Sequence, residues 1–381
     1  MTYRSSWMTE ELDVFRDQFR KFLAADLAPQ AEEWRKRKMV DRSAWKALGG
    51  MGALLPSVPE AYGGLGTTFA YDAAVFEDIE SIVPEVLTGV TVSSGIVAHY
   101  ILNYGSEEQK RRWLPGMARG ELIGAIAMTE PGTGSDLQSV RTTARRQGNS
   151  YVVNGQKTFI TNGQTADLVI VVARTGGPGA KGLSLIVLET ADNPGFKRGR
   201  SLDKIGVHAS DTSELFFEDA VAPVENLLGD EEGQGFRQLM QQLPQERLII
   251  AVGAVASMER AVRITAEYTR ERKAFGQPII EFQNTAFKLA ERKTEATIAR
   301  VFLDWCIERL IKGDLDAVTA SMAKWWCTQK QFETADECLQ LHGGYGYMEE
   351  YPISRMFADA RIQKIYGGTN EIMKLLIARS L

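Results

Sequence analysis

Cysteine and histidine are scarce in this chain, three of each in 381 residues. Cys306, Cys327 and Cys338 are an odd number with no close pair, which excludes a disulfide framework and reads as reduced core thiols of an intracellular protein. His99, His208 and His342 stand far apart and form none of the spacings that build a zinc site, so no metal is expected. Proline is rare at 12 residues, and 44% hydrophobic with 24% charged content excludes a disordered or collagen-like chain. No uninterrupted apolar run approaches the ~18 residues of a membrane span. Met1 to Leu12 is polar and acidic, unlike a targeting segment. With 44 Lys+Arg against 49 Asp+Glu, the net charge of -5 argues against nucleic acid as a partner. The expectation is a cytoplasmic protein. No Gly-Lys-Ser/Thr closes a phosphate loop and no Gly-x-Ser-x-Gly elbow occurs, which removes the main support for NTPase, kinase and ordinary hydrolase readings. Gly177 to Gly182 matches the dinucleotide fingerprint letter for letter, but Leu183 to Leu188 after it reads as a strand where the fingerprint needs a helix.

What is present falls into three textures, and roughly 150 residues per domain predicts two or three domains. Residues 1–122 read as helical: Leu12, Phe15, Phe19 and Phe22 recur at intervals of three and four, and Ser106 with Gln109 has the form of a capping box. Residues 123–234 carry short β-rich runs, Tyr151 to Val153, Lys157 to Thr161, Leu168 to Ala173, Leu183 to Leu188 and Ser213 to Phe217. Asn154-Gly155 between the first two is a hairpin signal. Over 235–381 helical periodicity returns, to about Arg272, then Phe282 to Ile311, Asp316 to His342 and Asp359 onward. Pro244 must sit in a first turn or kink a longer helix. The fold class is mainly α with a middle β domain; this segregation disfavours a doubly wound sheet.

Four segments could carry chemistry. Met128 to Asp136 joins helices to strands with two glycines and a cluster of hydroxyls and carboxylates, which brings backbone N–H groups near a polar ligand or is a plain interdomain turn. In Lys157 to Gly163, alternation puts Phe159 and Thr161 on one face, an aromatic beside a hydroxyl that could cover and hydrogen-bond a flat ring, or simply core. Arg270 to Gly276 ends a long helix with cations, suited to its dipole or to phosphates. Gln340 to Gly346 and Tyr366 to Glu371 are Gly-rich breaks in helical stretches, ordinary caps or exposed backbone beside aromatics.

Together these motifs resemble the acyl-CoA dehydrogenase family over nearly the whole chain: Ala127-Met128-Thr129-Glu130-Pro131-Gly132-Thr133-Gly134-Ser135-Asp136, Gly155-Gln156-Lys157-Thr158-Phe159-Ile160-Thr161-Asn162-Gly163, Glu271-Arg272-Lys273-Ala274-Phe275-Gly276 and Gln340-Leu341-His342-Gly343-Gly344-Tyr345-Gly346. The resemblance implies a helical domain, a β-barrel-like middle domain and a four-helix bundle, with bound FAD and a homotetramer built as a dimer of dimers. It places Met128, Thr129, Gly134, Ser135, Phe159 and Thr161 around the flavin. It places Arg272, Phe275, Gln340 and Gly344 against FAD across the dimer interface, and Thr369 near its phosphates. The family's usual Trp is Phe159 here, and a frequent Tyr is Ile126.

Many family members carry a catalytic glutamate just before Gly-Thr, but this chain has Tyr366-Gly367-Gly368-Thr369. The resemblance to long-chain and isovaleryl-type members, in Leu243-Pro244-Gln245-Glu246-Arg247-Leu248, implies instead that Glu246 is the base. The alternative is a surface helix glutamate. Its neighbours Leu243, Leu248, Ile249 and Ile250 are apolar, and Gly367 is expected to leave it space. The implied reaction removes an α-proton from an acyl-CoA while hydride passes to flavin N5, with the Gly367 N–H meeting the enolate oxygen. Ser135, Arg247, Tyr366 and Gly368 are expected to contact the substrate; Arg247 is equally suited to a structural ion pair. Electron-transferring flavoprotein is the implied acceptor. A same-fold acyl-CoA oxidase or flavin monooxygenase is the alternative.

Overall fold

The computed structural model describes residues 3–381; Met1 and Thr2, at the start of the polar segment noted above, lie outside the described residues. The first block is helical: α1 (Glu10–Phe22), α2 (Ala31–Arg37), α3 (Arg42–Gly50), α4 (Phe69–Ile82), α5 (Leu87–Val90), α6 (Ala98–Tyr104) and α7 (Glu107–Ala118). α7 begins at the capping box expected from Ser106 and Gln109, which satisfies two N–H groups that the helix itself leaves free. Leu12 and Phe19 of the α1 stripe are fully buried.

Strands β1 (Gly124–Ala127), β2 (Thr143–Gln147), β3 (Ser150–Thr161), β4 (Leu168–Arg174), β5 (Leu183–Glu189), β6 (Phe196–Ser201) and β7 (Thr212–Pro223) follow. They make one sheet in the order β1-β4-β2-β3-β7-β6, with β5 also on β4. The β1–β4 and β2–β4 pairs are parallel, the others antiparallel. β4 is apolar along its length because alternate residues serve two cores. Leu168, Ile170 and Val172 pack with the helices, whereas Val169, Val171 and Ala173 pack with the inner faces of β3 and β7.

The last block contains α8 (Gly235–Glu271), the short hairpin β8 (Lys273–Ala274) and β9 (Gln277–Pro278), α9 (Gln283–Ile311), α10 (Ala317–His342), α11 (Pro352–Gln363) and α12 (Asn370–Ala378). Pro244 lies inside α8, beyond its first turn. The helix expected from Asp359 onward is two helices, separated by the glycines at 367 and 368. Cys306, Cys327 and Cys338 are free and buried.

Asn154-Gly155 is not a hairpin turn. β3 runs through it as a bulge: Asn154 and Asp219 exchange two 2.9 Å hydrogen bonds, and Gly155, at φ 147, lies so close to Thr142 that a Cβ would stand 2.5 Å from its Oγ1. The hairpin is two residues long, Gly148-Asn149, with Gly148 at φ 59. β1, β2 and β6 escaped the pattern because they are short or carry runs of Arg and Lys that point to solvent. The run Pro84–Tyr104 does reach the length and apolarity of a membrane span, at mean hydropathy 1.3, yet 67% of that window is buried inside the protein. It is a core helix behind α8.

Buried ions join the first block to the last. Arg300 of α9 is held by Glu77 of α4 and by Glu259 of α8 at 2.8 Å, and Arg16 of α1 pairs with Asp78 at 2.7 Å and Glu77 at 3.2 Å. The middle block is tied in by Asn162 at the end of β3, whose Nδ2 donates to the Gly89 and Gly124 carbonyls at 3.0 Å each. Asn162 is 2% exposed and sits at φ 62, in the left-handed region that Asn tolerates better than most residues. Asn162→Ala removes both buried hydrogen bonds and places a Cβ without compensating hydrogen bonds at that φ, so it should cost about 2 to 4 kcal/mol in a urea titration. Asn162→Gly, free of the backbone term, should cost less; equal losses would show that the left-handed turn contributes nothing.

Candidate active site

Glu246 lies one third of the way along α8 and is only 4% exposed, which removes the surface-glutamate alternative. The wall over it is built by the segment between α5 and α6, a widened helical turn over Thr91–Val97 that approaches α8 at Gly95. A Cβ at Gly95 would stand 2.8 Å from Ile249 Cδ1 and 3.1 Å from Phe76 Cζ, so a larger residue would have to displace these side chains, and Gln245 Nε2 donates to the Gly95 carbonyl at 3.2 Å. From α6, the Tyr100 hydroxyl donates to Glu246 Oε1 at 2.7 Å. Burial pushes the Glu246 carboxyl up to about 7, against the opposite pull of the Tyr100 hydrogen bond and of the neighbouring Arg247. Tyr100 itself is held well above its ordinary range by burial and by that carboxylate, so it remains a donor. Tyr100 was missed in the sequence because its helix reads as plain core.

Arg247 is 5% exposed, and its Nη1 donates to Ser321 Oγ of α10 at 3.3 Å while Nε has no partner. Among the described residues it makes no ion pair within 4.0 Å on the far side, so the structural ion-pair alternative for Arg247 has no counter-ion beyond its neighbour Glu246. Gly367 faces the same stripe of α8: a Cβ there would stand 2.3 Å from Cδ1 of Ile250, one helical turn beyond Glu246. Gly367 therefore does not leave open space for the base, as expected above; Ile250 fills it, and φ 64 at Gly367 requires glycine for the backbone. Tyr366 and Gly368 flank it, half-buried.

The loop from Met128 to Asp136 is fastened from below. Lys157 of β3, 1% exposed, donates to the Met128 carbonyl at 3.0 Å and to Glu130 Oε1 at 2.9 Å. Glu130 also accepts from the Arg141 and Thr142 N–H groups, and Thr158 N donates to the Thr129 carbonyl. A lysine inside an apolar strand was the available signal for this clamp. β3 bulges at Thr158–Phe159, so Lys157 and Thr158 are both buried and simple alternation fails. Phe159, at φ 61 and 68% exposed, is turned out beside the loop, with Thr161 two residues on. Gly134 and Ser135 are exposed, and Gly132 and Gly134 have open space at their Cα atoms.

At the other end of the last block, Arg272, Gln340 and Gly344 line one open cavity of about 500 Å³ with Tyr268 and Tyr345. The Arg272 guanidinium lies 5.7 Å from the Tyr345 ring, and Phe275 is 96% exposed on the β8–β9 hairpin. Thr369 caps α12, accepting from Ile372 N at 3.3 Å. Two exposed aromatics, unencumbered glycine backbone at 132, 134, 343 and 344, and a cation in a cavity fit a cofactor with a flat ring and phosphates. Among the described residues no group of His, Cys, Asp and Glu is arranged to hold a metal.

Family models for the acyl-CoA dehydrogenase N-terminal, middle and C-terminal domains match residues 9–121, 125–220 and 233–381. The long-chain specific acyl-CoA dehydrogenase, mitochondrial, of Sus scrofa is 47% identical over 98% of this chain and 87% of its own length. A crystal structure of acyl-CoA dehydrogenase from Geobacillus kaustophilus superposes with a TM-score of 0.96 at 49% identity, covering 99% of each chain. A glutaryl-CoA dehydrogenase from Mycobacterium smegmatis, solved in complex with FADH2, superposes at 0.92 with 29% identity over 98% of this chain and 95% of its own. Three domain models in the observed order, with relatives and structures alike over nearly the whole length, leave one reading of the fold: the chain belongs to the acyl-CoA dehydrogenase family.

Proposed function

We propose that this protein is an FAD-dependent dehydrogenase of acyl-CoA thioesters, giving the trans-2-enoyl-CoA, with Glu246 as the base that removes the α-proton. The state of Glu246 carries the reading. A carboxyl 4% exposed among apolar side chains, raised to about 7 and anchored by one hydroxyl, is matched to taking a carbon-bound proton near neutral pH. Charge that builds on the thioester oxygen needs a donor, and Gly367 keeps its backbone N–H although it has no side chain. FAD, when bound, supplies the hydride acceptor for the β-carbon. Met128, Thr129, Gly134, Ser135, Phe159 and Thr161 would hold its ring end and Thr369 would lie near its phosphates, while Arg272, Phe275, Gln340 and Gly344 would reach the FAD of a neighbouring subunit across the dimer interface. Ser135, Arg247, Tyr366 and Gly368 would line the substrate's path. A homotetramer is part of the proposal, supported by Ile298, Val301 and Trp305, apolar residues 45% or more exposed at intervals of three and four on α9. So is electron-transferring flavoprotein as acceptor.

Anaerobic addition of acyl-CoAs of graded length should bleach the flavin, and electron-transferring flavoprotein should restore its colour faster than air does. Faster recovery in air would favour an oxidase. Glu246→Gln should still bind FAD and acyl-CoA but slow flavin reduction by ~10²–10⁴-fold. Near-normal reduction in that variant would remove Glu246 from the mechanism.

The base works deprotonated, so kcat/KM should rise with pH and level off above about 7. The Tyr100 hydrogen bond favours the charged form. Tyr100→Phe should therefore move that rise to higher pH, leaving the plateau within about tenfold of its original height. An unmoved profile would mean that Glu246 does not govern it.

A further inference from the structure

We propose that Lys324 is a positioning residue for the substrate carbonyl: from α10 it holds the Gly367–Thr369 turn in the shape that presents the Gly367 N–H. This deepens the dehydrogenase reading above and rests on it.

The turn is unusually dependent on an outside anchor. Gly367 and Gly368 stand at φ 64 and 90, and a Cβ on either would meet Ile250 Cδ1 at 2.3 Å or Met373 Cε at 2.7 Å. The backbone strains against a side chain at either point, so the two glycines have none of their own to pack. Its flanks are tied back to the end of α11, Tyr366 N to the Ile362 carbonyl at 3.2 Å and Asn370 N to the Lys364 carbonyl at 3.0 Å. Between those ties, among the described residues, the side chain that hydrogen-bonds the glycine backbone is Lys324. Its Nζ donates to the Gly368 carbonyl at 2.8 Å and to Asn370 Oδ1 at 3.1 Å, and Thr328 Oγ1 donates to the same Oδ1 at 3.1 Å.

The lysine itself is placed at a cost. It is fully buried, and among the described residues it has no carboxylate within ion-pair distance. Burial, together with the Arg247 cation of the facing α8, brings the Lys324 amine down to about 7 against the opposite pull of Glu371. A methionine would fill the same volume without desolvating an amine. What methionine cannot do is donate to the Gly368 carbonyl. The observation that remains is a bond to a glycine turn whose neighbouring N–H, on the reading above, meets the thioester oxygen as it gains negative charge.

The test uses wild-type and Lys324→Met holoenzymes with a 3-thia-acyl-CoA, a thioester that can lose its α-proton but has sulfur in place of the β-carbon and so cannot be dehydrogenated. Ionisation of the bound analogue is followed by the long-wavelength absorbance of the enolate against the flavin. Lys324→Met should raise the pH of ionisation by about two units, a ~10²-fold loss of acidity, and lower kcat by a similar factor, with the analogue's Kd changed less than ~10-fold. A merely structural role would lower FAD content or the unfolding midpoint while the remaining holoenzyme ionised the analogue as wild type does. That result overturns the proposal. If Lys324→Met yields no holoenzyme, Asn370→Ala removes the second anchor and keeps the lysine; it should raise the ionisation pH by about one unit, and no shift overturns the proposal equally. A wild-type enzyme that binds the analogue without ionising it would instead overturn the dehydrogenase reading beneath the proposal.

Discussion

Glu246 is kept dry without being given a permanent counter-ion, and much of the surrounding architecture follows from that. A carboxylate next to a fixed guanidinium within bonding distance would be an inert salt-bridge member with a depressed pKa; one with no polar contact would stay protonated. The single hydrogen bond from Tyr100 lies between these extremes. Supplying it requires α6 to pack tightly on α8, which the glycine at 95 permits. It also requires α8 to belong to two blocks at once, packed on α4 and α6 of the first and on α9 and α10 of the last.

Such a helix transmits misalignment, so its neighbours are fixed by polar contacts that have narrow geometry. Arg300 engages carboxylates of α4 and α8 together, and Arg16 brings α1 onto the same cluster. Buried ion networks contribute little net stability compared with apolar replacements, but each partner left alone is costly, so alternative packings of these helices are disfavoured. Lys157 and Glu130 do the same for the loop after β1, where backbone would otherwise be free to move. The ionisable groups thus divide by surroundings. Arg16, Arg300 and Lys157 are paired with carboxylates, whereas among the described residues Glu246, Arg247 and Lys324, nearest the proposed chemistry, make no ion pair within 4.0 Å.

The three-block order was legible because hydrophobic periodicity is local: a helical stripe or an apolar strand shows itself within about ten residues. The capping box at Ser106 and the rejection of Gly177 to Gly182 rested on equally local chemistry, and 3₁₀ turn followed by β5 is what stands there. Asn154-Gly155 failed for a non-local reason. Asp219 of β7, distant in sequence, takes both hydrogen bonds of the asparagine and turns a hairpin signal into a bulge. Polar edge strands such as β6 were invisible because their stability comes from the partner strand.

At the site, residue types and local spacing singled out the glycine-bearing loop at 128–136, the Phe159–Thr161 pair and the apolar company of Glu246; its assignment as the base came from the resemblance. Sequence could not say that Tyr100, 146 positions away, touches the carboxyl. Nor could it show that Ile250 occupies the space beside Gly367, or that α10 sends Lys324 to the turn. Secondary structure and motif chemistry depend on neighbours along the chain, and the sequence by itself determined those. The protonation state of the buried carboxyl, the need for glycine at 367 and the partners of the buried cations depend on which groups exclude water from one another, and only the tertiary structure decided them.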